Sequence, residues 1–364
     1  MIIVLIYFLL LFFFLSALLI LALKETNEPK KEVAYYPIVS VLVAARNEEK
    51  NIVSCLKALS KINYPKDRVE ILIGNDQSND GTEKLTEEFI KDKNNFRLIN
   101  ITSQLGLAKA KANVLAHLAK EAKGEYFFIT DADIEVPKGW IQGLLKHADH
   151  EVAIVSGVTV VEGKTLFAKL QGLDWLLAFG MVKTVSDLGI PVTAVGNNMM
   201  ISREAYEAVG GYEKVPFSVT EDYELFKQVL KKGYKYKNLM NEEVLAISKP
   251  AEDFNQLIKQ RKRWMRGAVD LPKILVLCLF IKSIFLPFII IAMIMFPIWG
   301  ALLWMSKILL QQVFMALVMR RINLWSGLLK YFILFEVYSG LLPVFMLFYY
   351  ALPTKVVWKG RVFK

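Results

Sequence analysis

The residues best suited to chemistry are carboxylates at the ends of apolar runs. Asp131-Ala132-Asp133 directly follows the run 126–130. Residues two apart in an extended segment point the same way, so both acids can face one divalent cation, Mg2+ or Mn2+, together with a substrate's phosphate oxygens. Such an ion would neutralise charge on a leaving diphosphate. Asp76 follows the run 69–74, where a rigidly held carboxylate can accept from a nucleobase N–H or from ribose hydroxyls. Asp80, in the loop beyond it, reads equally as a turn or N-cap residue and as a ligand contact. Thr220-Glu221-Asp222 precedes an amphipathic stretch, and its acids either cap that helix or do chemistry. Gln260-Arg261-Lys262-Arg263-Trp264 stands just before an apolar region. It is either juxtamembrane charge attracted to anionic lipid or a phosphate-pairing arginine beside an aromatic face. Ala44-Ala45-Arg46-Asn47-Glu48-Glu49 ends the first strand, and its acids suit the first turn of the next helix.

The elements that carry these groups alternate. Val- and Ile-rich runs at 39–45, 69–74, 96–99 and 126–130 are separated by amphipathic stretches at 48–59, 82–91, 108–120 and 138–147. This predicts an α/β domain with a mostly parallel sheet and helices on both faces, whose ligand crevice lies where the strands end.

The ends of the chain are of another kind. Hydrophobic residues make up 54% of the 364 and charged residues only 22%, with mean hydropathy +0.36, which argues against an ordinary soluble domain. Residues 1–23 hold no charge and as a helix would span roughly 34 Å, enough for a hydrocarbon core. A cleaved signal peptide is the alternative, but there is no basic n-region and no A-x-A site before Lys24. Lys24, Lys30 and Lys31 then put the following body in the cytosol. Beyond Leu271 the runs 284–304 and 331–352 are long enough to cross, 307–319 is too short, and 271–281 suits an interfacial helix. Two C-terminal crossings and a cytosolic basic tail follow, although Arg320 and Arg321 then fall on the far side. The implied divisions are an anchor at 1–23, a catalytic or binding domain at 37–266, an interfacial helix at 267–283, a membrane region at 284–352 and a tail at 353–364.

Of the formal net charge of +10, all but about one unit lies after Leu271, where ten Lys/Arg face the single acid Glu336. No basic face remains on the body for nucleic acid. Cys55 and Cys278 form neither a disulfide framework nor a metal cluster.

In order, Asp76, D-x-D, Gly196-Asn197-Asn198, T-E-D and Q-x-x-R-W resemble the family 2 glycosyltransferases of GT-A fold, the membrane-embedded cellulose, chitin and hyaluronan synthase type, over about 37–266. The resemblance implies a nucleotide-diphospho-sugar donor, most often UDP-linked, and a lipid or glycan acceptor. By it, Asp76, Lys111, Asp131, Arg46 and Glu48 hold the donor, Asp131 and Asp133 the metal, and Asp222 is the general base. Gln260, Arg263, Trp264, Glu221 and Asn198 serve the diphosphate and acceptor. Ala110 stands where the family's Gly-Lys-Ala-Asn segment has glycine, and Asn75 and Gln77 depart from Asp-Asp-Gly-Ser, which leaves the base open. One base opposite one departing diphosphate describes a single displacement that inverts the anomeric carbon. The expected protein is an integral enzyme of a bacterial plasma membrane with a cytosolic catalytic domain, adding one or a few sugars. A processive synthase and an inactive sugar-nucleotide-binding assembly protein are the alternatives. A transporter would need polar groups within several spans.

Overall fold

The computed structural model describes residues 35–324, 327–352, 355–359 and 361–363, with a few separate positions between 5 and 19. The expected anchor at 1–23 otherwise lies outside the described residues.

The expected α/β order is present. Strands β1 (Val39–Ala45), β2 (Val69–Asn75), β3 (Phe96–Asn100) and β4 (Tyr126–Asp131) alternate with helices α1 (Ile52–Ser60), α2 (Thr82–Ile90) and α3 (Lys111–Glu121). After a short β5 (Ile134–Glu135) come α4 (Trp140–Leu145), β6 (Val152–Ser156), β7 (Val158–Val161) and the long α5 (Leu166–Asp187). Then follow β8 (Asn198–Ser202), α6 (Arg203–Ala208), α7 (Gly211–Lys214), α8 (Glu221–Lys231), β9 (Lys235–Asn238) and β10 (Leu245–Ser248). The main sheet has the order β3-β2-β1-β4-β8-β6-β9, and β5, β10 and β7 form a small second sheet. Strands β1 to β4 are parallel, whereas β8 runs antiparallel to both β4 and β6.

Period-two alternation decides the two cores. Val39, Val41, Val43 and Ala45 of β1 face α1 and α4, with Ile52, Leu56, Trp140 and Leu144. Leu42, with Leu72 and Phe127, faces the other way onto Val114, Leu115 and Leu118 of α3 and Leu225, Phe226 and Val229 of α8. Gly74 lets α3 approach β2, because a Cβ there would overlap the Val114 side chain.

The C-terminal helices differ from expectation. The stretch 271–281 and the run 284–304 do not form an interfacial helix and a separate span: most of both lies in one helix, α10 (Lys273–Met295). After Phe296, α11 (Pro297–Arg321) takes in the segment 307–319, and α12 (Phe332–Ala351) follows. Among the described residues, three helices are therefore long and apolar enough to cross a membrane. The single-residue link at Phe296 folds α10 and α11 into a hairpin, and Gly300 packs directly on the Met293 backbone. At the hairpin's return, Asn323 donates to Glu242 of the domain at 3.2 Å. Arg320 and Arg321 thus end α11 next to the domain.

Helix α12 touches the domain from end to end. Phe332 and Phe335 join the cluster of Val158, Leu173, Leu176 and Val318. Leu342 and Met346 pack on Leu257 and Ile258 of α9 (Phe254–Ala268). Buried Lys262 of α9 donates to the carbonyls of Tyr349 and Leu352 at 3.3 and 3.0 Å, closing the C-terminal end of α12 where a cation is favoured. The tail then forms a hairpin, β11 (Val356–Trp358) and β12 (Arg361–Phe363), that was not expected from its sequence.

Helix α3 begins at a strained residue: Ala110 has φ +50° and ψ −129°, a region that glycine enters and alanine rarely does. Ala110→Gly should relieve strain and raise stability by about 1 kcal/mol, seen as a rise of about 2–4 °C in thermal midpoint. An unchanged or lowered midpoint would count against the strain.

Candidate active site

The crevice is built from the C-terminal ends of β1, β2 and β4. Asp76 N–H donates to Ala45 O at 2.9 Å, locking the first two ends together. Asn47 and Gln77, with φ of +52° and +54°, turn the two loops towards each other. Asn47 N–H then donates to Ser78 Oγ at 3.1 Å and Glu48 N–H to Thr82 Oγ1 at 2.7 Å. Asp80 accepts from Thr82 N–H at 3.0 Å and from Glu49 N–H at 3.1 Å. Those bonds make it a turn residue and hold its carboxyl below the usual range, against a burial effect that works upward. Glu49 accepts from Gly81 N–H at 2.9 Å, so it binds this loop rather than α1.

Lys111 sits at the centre. Its ammonium lies 2.6 Å from Asp131 Oδ1 and 3.0 Å from Glu221 Oε1, and it donates to Gly196 O at 3.2 Å. Four separate elements thus meet on one cation, the first turn of α3, the end of β4, the loop before β8 and the start of α8. Burial disfavours the ammonium, but Asp131, Glu221 and Asp222 outweigh it, so its pKa is well above the ordinary lysine range. Glu221 is held down: burial works against its charge, and Lys111 and then Arg263 outweigh burial.

Asp222 is fastened at both oxygens, accepting from Gly196 N–H and from its neighbour Tyr223 N–H, each at 2.8 Å. Burial and then the charge of Glu221 push its pKa up to about 6, while Lys111 and the two amides pull back. Gly196 must lack a side chain, because a Cβ would lie 2.5 Å from Asp222 Cβ.

Residues 132 and 133 form a turn between β4 and β5 rather than continued strand, so the two acids do not share one strand face as expected. Asp131 pairs with Lys111, while the charged neighbours of Asp133 are Asp131 itself, then Glu48 and Lys359. Burial first, then Asp131 and Glu48, push Asp133 up to about 7, with Lys359 pulling back. A buried acid crowded by acids suits a cation. Among the described residues no three His, Cys, Asp or Glu side chains converge as a closed metal site.

At the third corner, Asp76 is 5% exposed. Arg46 Nη1 donates to its carbonyl at 2.5 Å, and Arg361 of β12 grips both carboxylate oxygens at 2.6 and 2.9 Å. Lys359 meets Glu48 at 2.6 Å and donates to Asn47 O at 3.3 Å. The tail residues Lys359 and Arg361 were missed by sequence reasoning, which gave their charge a purely topological meaning.

Of the remaining expected residues, Arg263 lines the cleft with Lys109, Lys111, Phe217 and Glu221. Gln260 and Trp264 lie one turn apart on α9. The Trp264 ring packs edge-on against Trp175 of α5 at 5.2 Å and carries the Arg261 guanidinium at 4.4 Å. Asn198 is a correction. It is wholly buried, accepts from Trp140 Nε1 at 2.8 Å and donates to the carbonyls of Val158 and Val244 at 2.8 and 2.9 Å. Both its amide hydrogens and its oxygen are engaged in joining the two sheets, out of an acceptor's reach.

A family model described as Glycosyl transferase family 21 matches residues 4–364. The probable glycosyltransferase YdaM of Bacillus subtilis is 31% identical over 254 residues, 67% of this chain and 58% of that protein. The beta-monoglucosyldiacylglycerol synthase of a Synechocystis species is 25% identical over 64% of this chain and 48% of its own length. This chain therefore spans only about half the length of these two relatives. In structure, it resembles the mannosyltransferase PcManGT from Pyrobaculum calidifontis, solved in complex with GDP-Man and Mn2+, with TM-score 0.57, 18% identity and 94% of both chains covered. At that identity the likeness concerns the fold.

Lys111→Met should leave Asp131 and Glu221 without their buried cation and cost about 3 kcal/mol in denaturant unfolding at pH 7. Glu221's lowered pKa gives stability above its ordinary 4.5 that is lost as pH falls through the lowered value. Lys111's raised pKa gives stability below its ordinary 10.5 that is lost as pH rises through the raised value. The deficit should therefore be full between those pH values and shrink below 4.5. A deficit independent of pH would contradict the electrostatic origin.

Proposed function

Because the chain belongs to glycosyl transferase family 21, we propose that it moves a sugar from a nucleoside-diphosphate donor to a hydroxyl of a membrane-associated lipid or glycan, with inversion. The observation that carries this reading is the meeting of Asp131, Glu221 and Gly196 on Lys111, with Asp222 fastened beside it.

An acceptor hydroxyl is a poor nucleophile near neutral pH, so a carboxylate must take its proton as the new bond forms. Asp222 suits that role, being half-buried and fastened at both oxygens, with a pKa raised towards the working pH. Glu221, kept ionised by Lys111 and Arg263, is the positioning partner. A divalent cation, when bound with Asp131 and Asp133, would offset charge on the departing diphosphate. Lys111 and Arg263 would hold the same phosphate oxygens, the arginine bidentately. Asp76 and Arg46 would hold the base.

The body and the C-terminal hairpin contact each other, so an even number of crossings lies between them. The α10–α11 hairpin supplies two, and α12 lies against the domain instead of crossing. The acceptor would enter from the lipid boundary beside α9, whose Trp264 offers a face for a sugar ring. The juxtamembrane lysines favour a cytosolic domain.

Membranes incubated with a panel of labelled UDP- and GDP-sugars should yield lipid-extractable product; label only in insoluble polymer would point to a processive synthase. Asp222→Asn should lower turnover by at least about 10³-fold while leaving calorimetric donor affinity nearly unchanged. Near-normal transfer by it would remove the base assignment. With the unmodified protein, activity should rise with pH through a midpoint near 6 as Asp222 loses its proton; a flat profile from pH 5 to 8 would contradict it. Cysteines at Phe296 and Asn323 should label from opposite sides of sealed vesicles, and labelling from one side would refute the hairpin topology.

A further inference from the structure

A second set of charged groups lies where α5 and α9 of the domain meet the apolar helices. Asp174 of α5 receives Arg261 Nη2 of α9 at 2.7 Å. Glu336 of α12 receives Lys307 Nζ of α11 at 2.5 and 2.6 Å, Trp304 Nε1 at 3.2 Å and Gln311 Nε2 at 3.3 Å. Each pair is neutral, and Glu336 is fully supplied with donors. Lys282 of α10 adds a cation that belongs to neither pair. Its charged neighbours are Asp174 and Arg261, and it is in turn a charged neighbour of Lys307. Among the described residues its Nζ has no hydrogen bond and no ion pair. Three cations against two carboxylates leave one positive charge uncompensated. Lys282 stands nine residues after the first residue of α10, about 14 Å along the helix. An ionisable side chain that far into an apolar helix marks a partner or a function.

Two N–H groups nearby lack an acceptor as well. Arg261 Nε and Trp175 Nε1 are buried without a hydrogen bond among the described residues, and Trp175 as a whole is 5% exposed. The two side chains meet on Trp264, whose ring has the Trp175 ring at 5.2 Å and the Arg261 guanidinium at 4.4 Å. Buried donors left unpaired are costly, and surplus donors beside a surplus cation call for an anion.

We propose that Lys282, Arg261 and Trp175 hold the phosphate of an anionic membrane phospholipid between α5, α9 and α10. Phosphate brings the acceptor oxygens that these groups lack, and one negative charge matches the one uncompensated positive charge. The lipid source follows from the position of the cation. Lys282 is carried by an apolar helix on which Leu277, Leu279 and Phe280 are exposed, so the approach is lined for acyl chains and not for a free ion. Basic pockets between membrane helices recognise lipid head groups by this means. The inference goes beyond sugar transfer and needs only that α10 and α11 lie in a membrane. Because Arg261 bears on Trp264, the bound lipid would also brace that ring.

The test is calorimetric titration of the full chain in a neutral detergent with dioctanoyl phosphatidylglycerol, dioctanoyl phosphatidylcholine and inorganic phosphate. Phosphatidylcholine keeps the phosphate but cancels its charge with choline. The anionic lipid should bind about ten- to hundredfold tighter than either of the others, the effect of a charge-assisted hydrogen bond. Lys282→Met should lose that advantage, Lys282→Arg should keep it to within a few-fold, and Lys273→Met, at the exposed start of α10, should leave it unchanged. Equal binding of the two lipids, inorganic phosphate binding as well as the anionic lipid, full affinity in Lys282→Met, or an equal loss in Lys273→Met would each overturn the proposal. Affinity for a nucleoside diphosphate, measured on the same preparations, should be the same in Lys282→Met and the unmodified protein. A missing lipid site with nucleotide still bound therefore leaves the sugar-transfer reading standing.

Discussion

One buried ammonium holds the crevice together. Lys111 neutralises Asp131 at the end of β4 and Glu221 at the start of α8, two acids that would otherwise repel across a poorly solvated gap. Its bond to Gly196 O ties in the loop that also fastens Asp222. The charge on this one residue therefore decides the protonation of its neighbours. Glu221 is kept ionised, whereas burial and then the charge of Glu221 drive Asp222 up against the pull of Lys111. Two adjacent acids with opposite shifts can serve different roles.

The same compensation recurs on the other wall. Asp76, Glu48 and Asp133 form a second acidic group, and its cations come from Arg46 and from the far end of the chain, Lys359 and Arg361. A donor carrying a diphosphate and a divalent ion would bring both signs of charge into this space, so its binding must exchange partners with these groups. Strained entry to α3 at Ala110 and the left-handed residues Asn47 and Gln77 lie around this space. Backbone strain is commonly kept where positioning matters more than stability.

Helix α5 connects the crevice to the apolar helices. One part of it packs on β7 through Leu173, Leu176 and Leu177, and Gly180 admits Val318 and Phe314 of α11. Asp174 pairs with Arg261 of α9 at 2.7 Å, one turn of helix from Trp264. The motif on α9 is thereby anchored to both the domain and the membrane-facing helices. This helix was not legible as an element, because Leu166–Asp187 scatters Lys169, Gln171, Asp174 and Lys183 among apolar residues and lacks the one-sided pattern by which α8 is recognised.

The sequence by itself determined the alternating strands, the two β1 faces and the strand-end acids, because period-two burial and strand termini are written in local residue order. It also marked the apolar helices by composition. Only the tertiary structure decided what depends on residues distant in the chain. It brought Lys111 between Asp131 and Glu221, spent Asn198 on joining two sheets, and set Asp133 on a turn beside Asp131, Glu48 and Lys359. It also returned the basic tail to Asp76 and Glu48 instead of leaving it as a topological marker. Charge pairing acts through space over a few ångströms, and a linear order of residues holds no record of which distant charges the fold will place that close.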